Sequence, residues 1–439
     1  MLYTNKDLRK LILPLVMEQF LTLLVGMADT IMISGVGEAA VSGVSLVDTI
    51  NVLVINVFAA FGTGGAVVAG HFLGQKDEGK ACKAAWQTTI FSVSVALVVT
   101  LVFIGLHDGL LRLIFGNVEA AVMKNAKDYL VITALSIAPL ALYNACAGMM
   151  RAMNDSKTTM WISMLMNVIN ISGNAILIYG VGMGTAGAAW ATTISRLVAA
   201  VMIFCLMFRS GKEIHFRGQV TWRFEAEYIK RILYIGVPNS LENSMFQLGK
   251  ILTISMVSTY GTYAIAANAV CNTLAAFNVL PGLAINNALL AVAAVCVGAG
   301  AYDQARYYTK KLMKLAMAFL AGMTVLIVLG GDWIVGFYNL SPEASELAVQ
   351  VFTYHGIMAV FFWLPSFSLP NTLRAAGDVV WSMVIGIFSM WVFRLMFSWL
   401  LGTYFGLGLM GVWIAMTIDW IFRAGCYMLR FRGHKWEKA

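Results

Sequence analysis

Long apolar runs dominate the chain, at about 11–33, 44–70, 86–106, 129–150, 158–180, 186–208, 231–257, 265–297, 312–330, 348–370, 380–401 and 408–429. Each is about the 20 residues an α-helix needs to cross a bilayer. Backbone groups in lipid have no water to bond, and a helix satisfies them within one segment. A membrane-spanning strand would instead alternate apolar and polar residues over about ten positions. The pattern predicts an all-α membrane protein with twelve transmembrane helices.

Composition agrees. Of 439 residues, 60% are hydrophobic and 12% charged, and mean hydropathy is +0.78. Ordinary soluble domains are about 25% charged. A soluble enzyme, a disordered chain and a nucleic-acid binder are excluded. The net charge of +8 follows from where the cations lie. Of 30 Lys and Arg, 23 fall in the tails and the loops after even-numbered segments, 3 on the other side and 4 inside segments. Basic residues collect on the cytoplasmic side, so both termini are expected in the cytoplasm, with the protein in the plasma (bacterial inner) membrane. The six cysteines have no spacing that suggests zinc or disulfides. Lys6, Arg9 and Lys10 precede an apolar run as in a signal peptide, but that run carries Glu18 and Asp29, so it reads as the first span.

The two halves resemble each other. Pro14 and Glu18 recur as Pro238 and Glu242, Gly37 as Gly261, Gly74 as Gly298 and Gly187 as Gly411, all displaced by 224. Arg151-Ala-Met-Asn-Asp155 recurs as Arg374-Ala-Ala-Gly-Asp378, displaced by 223. This defines an N-lobe at 1–208, a cytoplasmic linker at 209–230 and a C-lobe at 231–439, each lobe a six-helix bundle. Six is even, so the repeats share one orientation, as in transporters that carry substrate between rocking halves. Gly74-Gln-Lys-Asp-Glu-Gly79-Lys80-Ala81 has the spacing of a phosphate loop, but Ala81 replaces the magnesium-binding hydroxyl and no strand precedes it. With no ATPase segment, an ion gradient is the expected energy source, and no enzyme activity or bound cofactor is expected beyond the coupling ion.

A carboxylate at membrane depth costs about 2.5 kcal/mol or more and marks a functional candidate. Asp419 and Arg423, four apart on one helix, read as a mutually neutralising pair. Asp48 reads as a helix cap. Glu18 and Glu242 each follow a proline by four residues, and either a shared structural device or a functional role fits them. Asp29 has no basic residue within two turns of its own helix. It shares a face with Glu18, about 16 Å away along the axis. Asn167, Asn170 and Asn174 line one face of segment 5. A carboxylate with amide oxygens offers hard ligands to a small cation, or a protonatable group; hydrogen bonding between helices also explains the amides.

Met27-Ala-Asp29-Thr-Ile-Met, Leu73-Gly74, Arg151-Ala-Met-Asn-Asp155, Asn170-Ile-Ser-Gly-Asn174, Ile178-Tyr-Gly180 and Gly187-Ala-Ala-Trp190-Ala-Thr192, in this order and with the doubling, resemble the multidrug and toxic compound extrusion (MATE) transporters over nearly the whole chain. The resemblance implies a central cavity between the two lobes and export of varied, often cationic organic compounds in exchange for Na+ or H+. It places Asp29, Asn170 and Thr192 in an N-lobe cation site, where they and Asn174 could hold Na+. Asn174 stands where several relatives have a second aspartate, leaving one titratable group. Glu242 resembles a glutamate of other branches, whose partner aspartate is missing from Ala359-Val-Phe-Phe-Trp-Leu364. Glu242, Glu18, Phe361 and Trp363 are candidates for a substrate or second coupling site, with the aromatics able to hold a lipophilic cation or simply to face lipid. Membrane lipids are expected neighbours, nucleic acid is not, and a monomer is expected. Two alternatives are a dedicated exporter of an endogenous metabolite or peptide, and a lipid-linked oligosaccharide flippase, which would commonly have fourteen helices and a strongly basic cavity.

Overall fold

The computed structural model describes residues 2–438 except 117, 210, 337 and 339, and leaves the side chains of Asp332 and Lys438 undescribed. Its described residues are helical with no strand, as the unbroken apolar runs require. In chain order the long helices are α1 (Asn5–Ser34), α2 (Glu38–Gly74), α3 (Glu78–Phe115), α4 (Ala120–Ala134 and Ile137–Ala152, bent by 47°), α5 (Ser156–Gly180), α6 (Gly184–Met207), α7 (Ala226–Val257), α8 (Thr262–Gly298), α9 (Tyr302–Leu329), α10 (Pro342–Ala375), α11 (Val379–Tyr404) and α12 (Gly408–Arg432). Ten are singly long and apolar enough to span a membrane, and the two pieces of α4 make an eleventh. The twelfth, α7, is 32 residues long and interrupts its apolar sequence with Lys230, Arg231, Glu242 and Lys250.

The chain forms two compact units, Tyr3–Ser240 and Leu241–Ala439, the second also including the extreme N-terminus. The division falls inside α7. In the first unit, Phe58, Phe61, Ala96, Ala134, Ile137 and Ala141 pack α2, α3 and α4 together. The stretch after α6 is folded against α3. Trp86 Nε1 donates to the Thr221 carbonyl (2.7 Å), Gln87 Nε2 to that of Arg223 (2.9 Å), and Phe216 is buried against Trp86, Phe204 and Phe208.

The backbone repeats along with the sequence. Left-handed φ values occur at Gly37 and Gly261, Lys76 and Gly300, Gly182 and Gly406, and Gly184 and Gly408, each pair 224 apart. Gly187 and Gly411 show why such positions persist. A Cβ on Gly187 would lie 3.0 Å from the Leu177 backbone, and one on Gly411 2.7 Å from that of Leu401. Both leucines sit in turns wound as π-helix, Ala175–Gly180 and Leu400–Tyr404. Each unit therefore contains the same close helix approach at a widened turn, the kind of contact only a small residue allows.

The phosphate-loop spacing at Gly74–Ala81 joins two helices. α2 ends at Gly74, and Asp77 caps α3 by accepting from the Lys80 backbone N–H (3.0 Å). That bond and the Lys80 ammonium hold the Asp77 carboxyl below its ordinary value.

Candidate cation site and family

Asp29 projects from α1 towards α5. Asn174 Nδ2 donates to its Oδ1 at 2.7 Å. One turn away, Asn170 Nδ2 donates to Thr192 Oγ1 on α6 at 3.2 Å. Asn170 and Asn174 are 6% and 1% exposed. Each amide nitrogen is thus engaged, while both Oδ1 atoms are buried with no hydrogen-bond partner. A buried carbonyl without a donor carries a desolvation penalty of about 1–3 kcal/mol. The arrangement has a carboxylate and two unsatisfied acceptors on adjoining helices, groups of the kind that a cation satisfies. Among the described residues no group of three His, Cys, Asp or Glu side chains could hold a metal ion. Oxygen from amides and a hydroxyl, with one carboxylate, suits a hard cation.

Sequence spacing did not show the charges around Asp29. Asp48 lies within α2, which starts at Glu38, so it is not a cap. Its carboxylate faces Tyr129, Asn51 and Arg196. Asp48 and Arg196 both act on Asp29 through their charge, yet no arginine or lysine among the described residues is within ion-pair distance of it. Arg196 lies four residues after Thr192 on α6, hence on the same face, and its Nη1 donates to Ser136 Oγ at 2.8 Å. Two carboxylates and one guanidinium leave a single negative charge, which one Na+ or one proton neutralises.

The other candidates are placed differently. Glu18 accepts from Thr159 Oγ1 (3.3 Å) and lies 3.9 Å from Arg151. Glu242 accepts from Arg374 Nη2 at 2.6 Å and is packed against Gly386. Both acids are therefore paired with the arginine of the repeated Arg-Ala-x-x-Asp motif. Phe361 is 61% exposed, whereas Trp363 is 6% exposed, fills the space over Gly282 and stacks on Phe367 with centroids 5.3 Å apart. Two residues along a helix are about 200° apart, so these rings face opposite ways and do not form one binding surface. The Asp419–Arg423 pair is present at 2.9 Å, buried, with Arg394 3.8 Å from Asp419. His355 is enclosed between Trp413 and Trp420.

The MatE family model matches this chain twice, over residues 14–176 and 238–400. The chain belongs to the multidrug and toxic compound extrusion (MATE) family. The two matches are displaced by 224 residues, the displacement of the sequence repeat and of the paired backbone conformations. Among curated MATE relatives, a probable multidrug resistance protein NorM of Thermotoga maritima is 27% identical over 99% of this chain and 93% of its own length. The uncharacterized transporter YisQ of Bacillus subtilis is 26% identical over 96% and 93%. A solved outward-facing multidrug resistance MATE transporter of the MOP superfamily superposes with a TM-score of 0.91 at 21% identity, covering 97% of this chain and 95% of that one. That likeness establishes the MATE fold, an all-α membrane protein of twelve spans in two six-helix halves.

Proposed function

We infer that this MATE protein is a cation-coupled antiporter that exports small organic compounds by alternating access of its two lobes. The observation that supports coupling is the pair of buried, unpartnered amide oxygens of Asn170 and Asn174 beside Asp29. With Thr192 they make a set of four oxygen-bearing side chains, which favours Na+ over a bare proton, since a proton needs one acceptor and leaves the carbonyls unsatisfied. Cation binding drives transport only by favouring one facing state through differential affinity. Loss of the negative charge on Asp29 and occupation of the carbonyls changes what α1, α5 and α6 can hold together, which is a means of such bias. The cytoplasmic excess of basic residues supports cytoplasmic termini in the bacterial inner membrane.

The test is export of an organic substrate from proteoliposomes under separately imposed Na+ and pH gradients. A Na+ gradient alone is expected to drive it. Export driven by pH alone, at zero Na+, would assign the site to a proton, and flux indifferent to both gradients would contradict coupling altogether.

A further inference from the structure

The second unit holds a pocket whose charge is opposite to that expected for cationic drugs. Lys250 of α7 and Arg394 of α11 line it together. The charge bearing on Lys250 is that of Arg394, and no carboxylate among the described residues is within ion-pair distance of Lys250. The nearest acid to Arg394 is Asp419, 3.8 Å away, and Arg423 holds it at 2.9 Å. Glu242, whose charge also reaches Arg423, is held by Arg374. Arg394 and Arg423 thus share Asp419, which also accepts from Ser389 Oγ at 2.5 Å, and Lys250 has no carboxylate of its own among the described residues.

Of the neutral groups, the two carboxamides can serve an anion and the Thr253 hydroxyl cannot. Asn268 Oδ1 accepts from Trp413 Nε1 at 3.1 Å, which leaves the Asn268 amide N–H groups as donors. Asn272 adds a second carboxamide one turn along α8. Thr253 directs its hydroxyl proton to the Gly249 carbonyl (2.8 Å) and offers the pocket only a lone pair. Arg394 is held in place over the Phe246 ring, 5.1 Å from its centroid. Trp413 and Met416, both buried, close the pocket beside these groups, and Ile254, 51% exposed, gives it accessible apolar surface.

We propose that this pocket, whose volume of about 40 Å³ suits a carboxylate alone, binds that group of an amphipathic organic anion with Lys250 and Arg394 as counter-charges, while the apolar body stays outside it against the exposed Ile254. Ionisable side chains at membrane depth are rare and are normally paired, and here the missing partner is an anion. Arg394 presents a planar donor fork suited to a carboxylate, and Lys250 a point charge beside it. The site is independent of the Asp29 reading, because it concerns what the second unit binds and not what drives transport.

Binding is measured by isothermal titration of the full chain in a zwitterionic detergent, with 2-naphthoate and the cationic 2-naphthylmethylammonium as probes. Naphthoate is expected to bind at least about tenfold more tightly than the ammonium, since the second probe brings a third like charge to the pocket. Lys250→Gln is expected to weaken naphthoate at least about tenfold, and Lys250→Arg, which keeps the charge, by less than about threefold. Removing one of two facing cations also relieves repulsion, so Lys250→Gln without ligand is expected to melt higher than the parent, which confirms that it folds. Unchanged naphthoate affinity in Lys250→Gln, a preference for the ammonium, or complete displacement of naphthoate by added phosphatidylglycerol would each overturn the proposal.

Discussion

Glu242 Oε2 lies 2.6 Å from Arg374 Nη2, and the first half of the chain repeats the relationship as Glu18 and Arg151 at 3.9 Å. Both acids follow a proline by four residues, on helices that begin their respective family matches. The duplicated carboxylates thus serve as buried counter-ions to the duplicated arginines.

Removing one partner of such a pair strands the other. Glu242→Gln is expected to destabilise by about 3–5 kcal/mol, the usual result of leaving a buried charge uncompensated. Glu18→Gln should be milder, because its pair is longer and Thr159 adds a bond to the same carboxylate. Melting of purified variants gives the order, and the double variant Glu242→Gln with Arg374→Met should recover much of the loss. Equal melting of parent and Glu242→Gln would show that the pair contributes nothing.

Gly187 and Gly411 are contacts with backbone, which cannot swing aside. Gly411→Ala is expected to lower stability by about 1–3 kcal/mol, with Gly187→Ala less harmful, following the 2.7 and 3.0 Å separations. Gly26→Ala, whose Cβ meets nothing within 4 Å inside α1, is the control and should melt no lower than the parent.

Asp155, which caps the start of α5, ties it to the stretch after α6 through an ion pair with Lys212. Burial pushes the Asp155 carboxyl up, but its bonds from Lys212 and Thr158 outweigh this and hold it below its ordinary value of 3.8. A carboxylate with a depressed folded pKa stabilises above its unfolded value, and that contribution is lost as pH falls through the folded one. Asp155→Asn is therefore expected to cost about 1 kcal/mol at pH 7. Its melting point and the parent's should converge as pH is lowered below 3.8. A gap that persists in acid would rule out the charge as its cause.

The unpartnered oxygen of Asn170 should matter to the ion more than to the fold. Asn170→Ala removes a buried unsatisfied acceptor along with the bond to Thr192, so the two effects offset and stability should fall by no more than about 1 kcal/mol, while the Na+ concentration for half-maximal export rises by about tenfold, one lost ligand in a small site. An unchanged Na+ requirement would remove Asn170 from the ligand set.

Much of this was legible in the sequence. Unbroken apolar runs fixed the class of fold, since only helices satisfy such backbone in lipid. The ends were less visible. α3 starts at Glu78 and reaches Phe115, well beyond its apolar stretch, because Lys80, Lys83, Asp108 and Arg112 form polar helical turns at either end. The bend in α4 and the π turns at Ala175 and Leu400 have no hydrophobic signature. Of the site, Asp29 and the Asn170–Asn174 face could be read from helical periodicity. Arg196 and Asp48 could not, because the reach of a charge between helices depends on packing that spacing along one helix does not record. The recurrence of Glu18 with Arg151 and of Glu242 with Arg374 was visible, but not that each acid meets the arginine.

Asp29→Asn tests the central claim most directly. The substituted amide keeps a carbonyl to accept from Asn174, so the variant should fold and melt like the parent while losing its ability to form a charge. Reconstituted in liposomes under an inward Na+ gradient, it is expected to show no gradient-driven substrate export. Full Na+-driven export by a well-folded Asp29→Asn protein would contradict coupling through this residue.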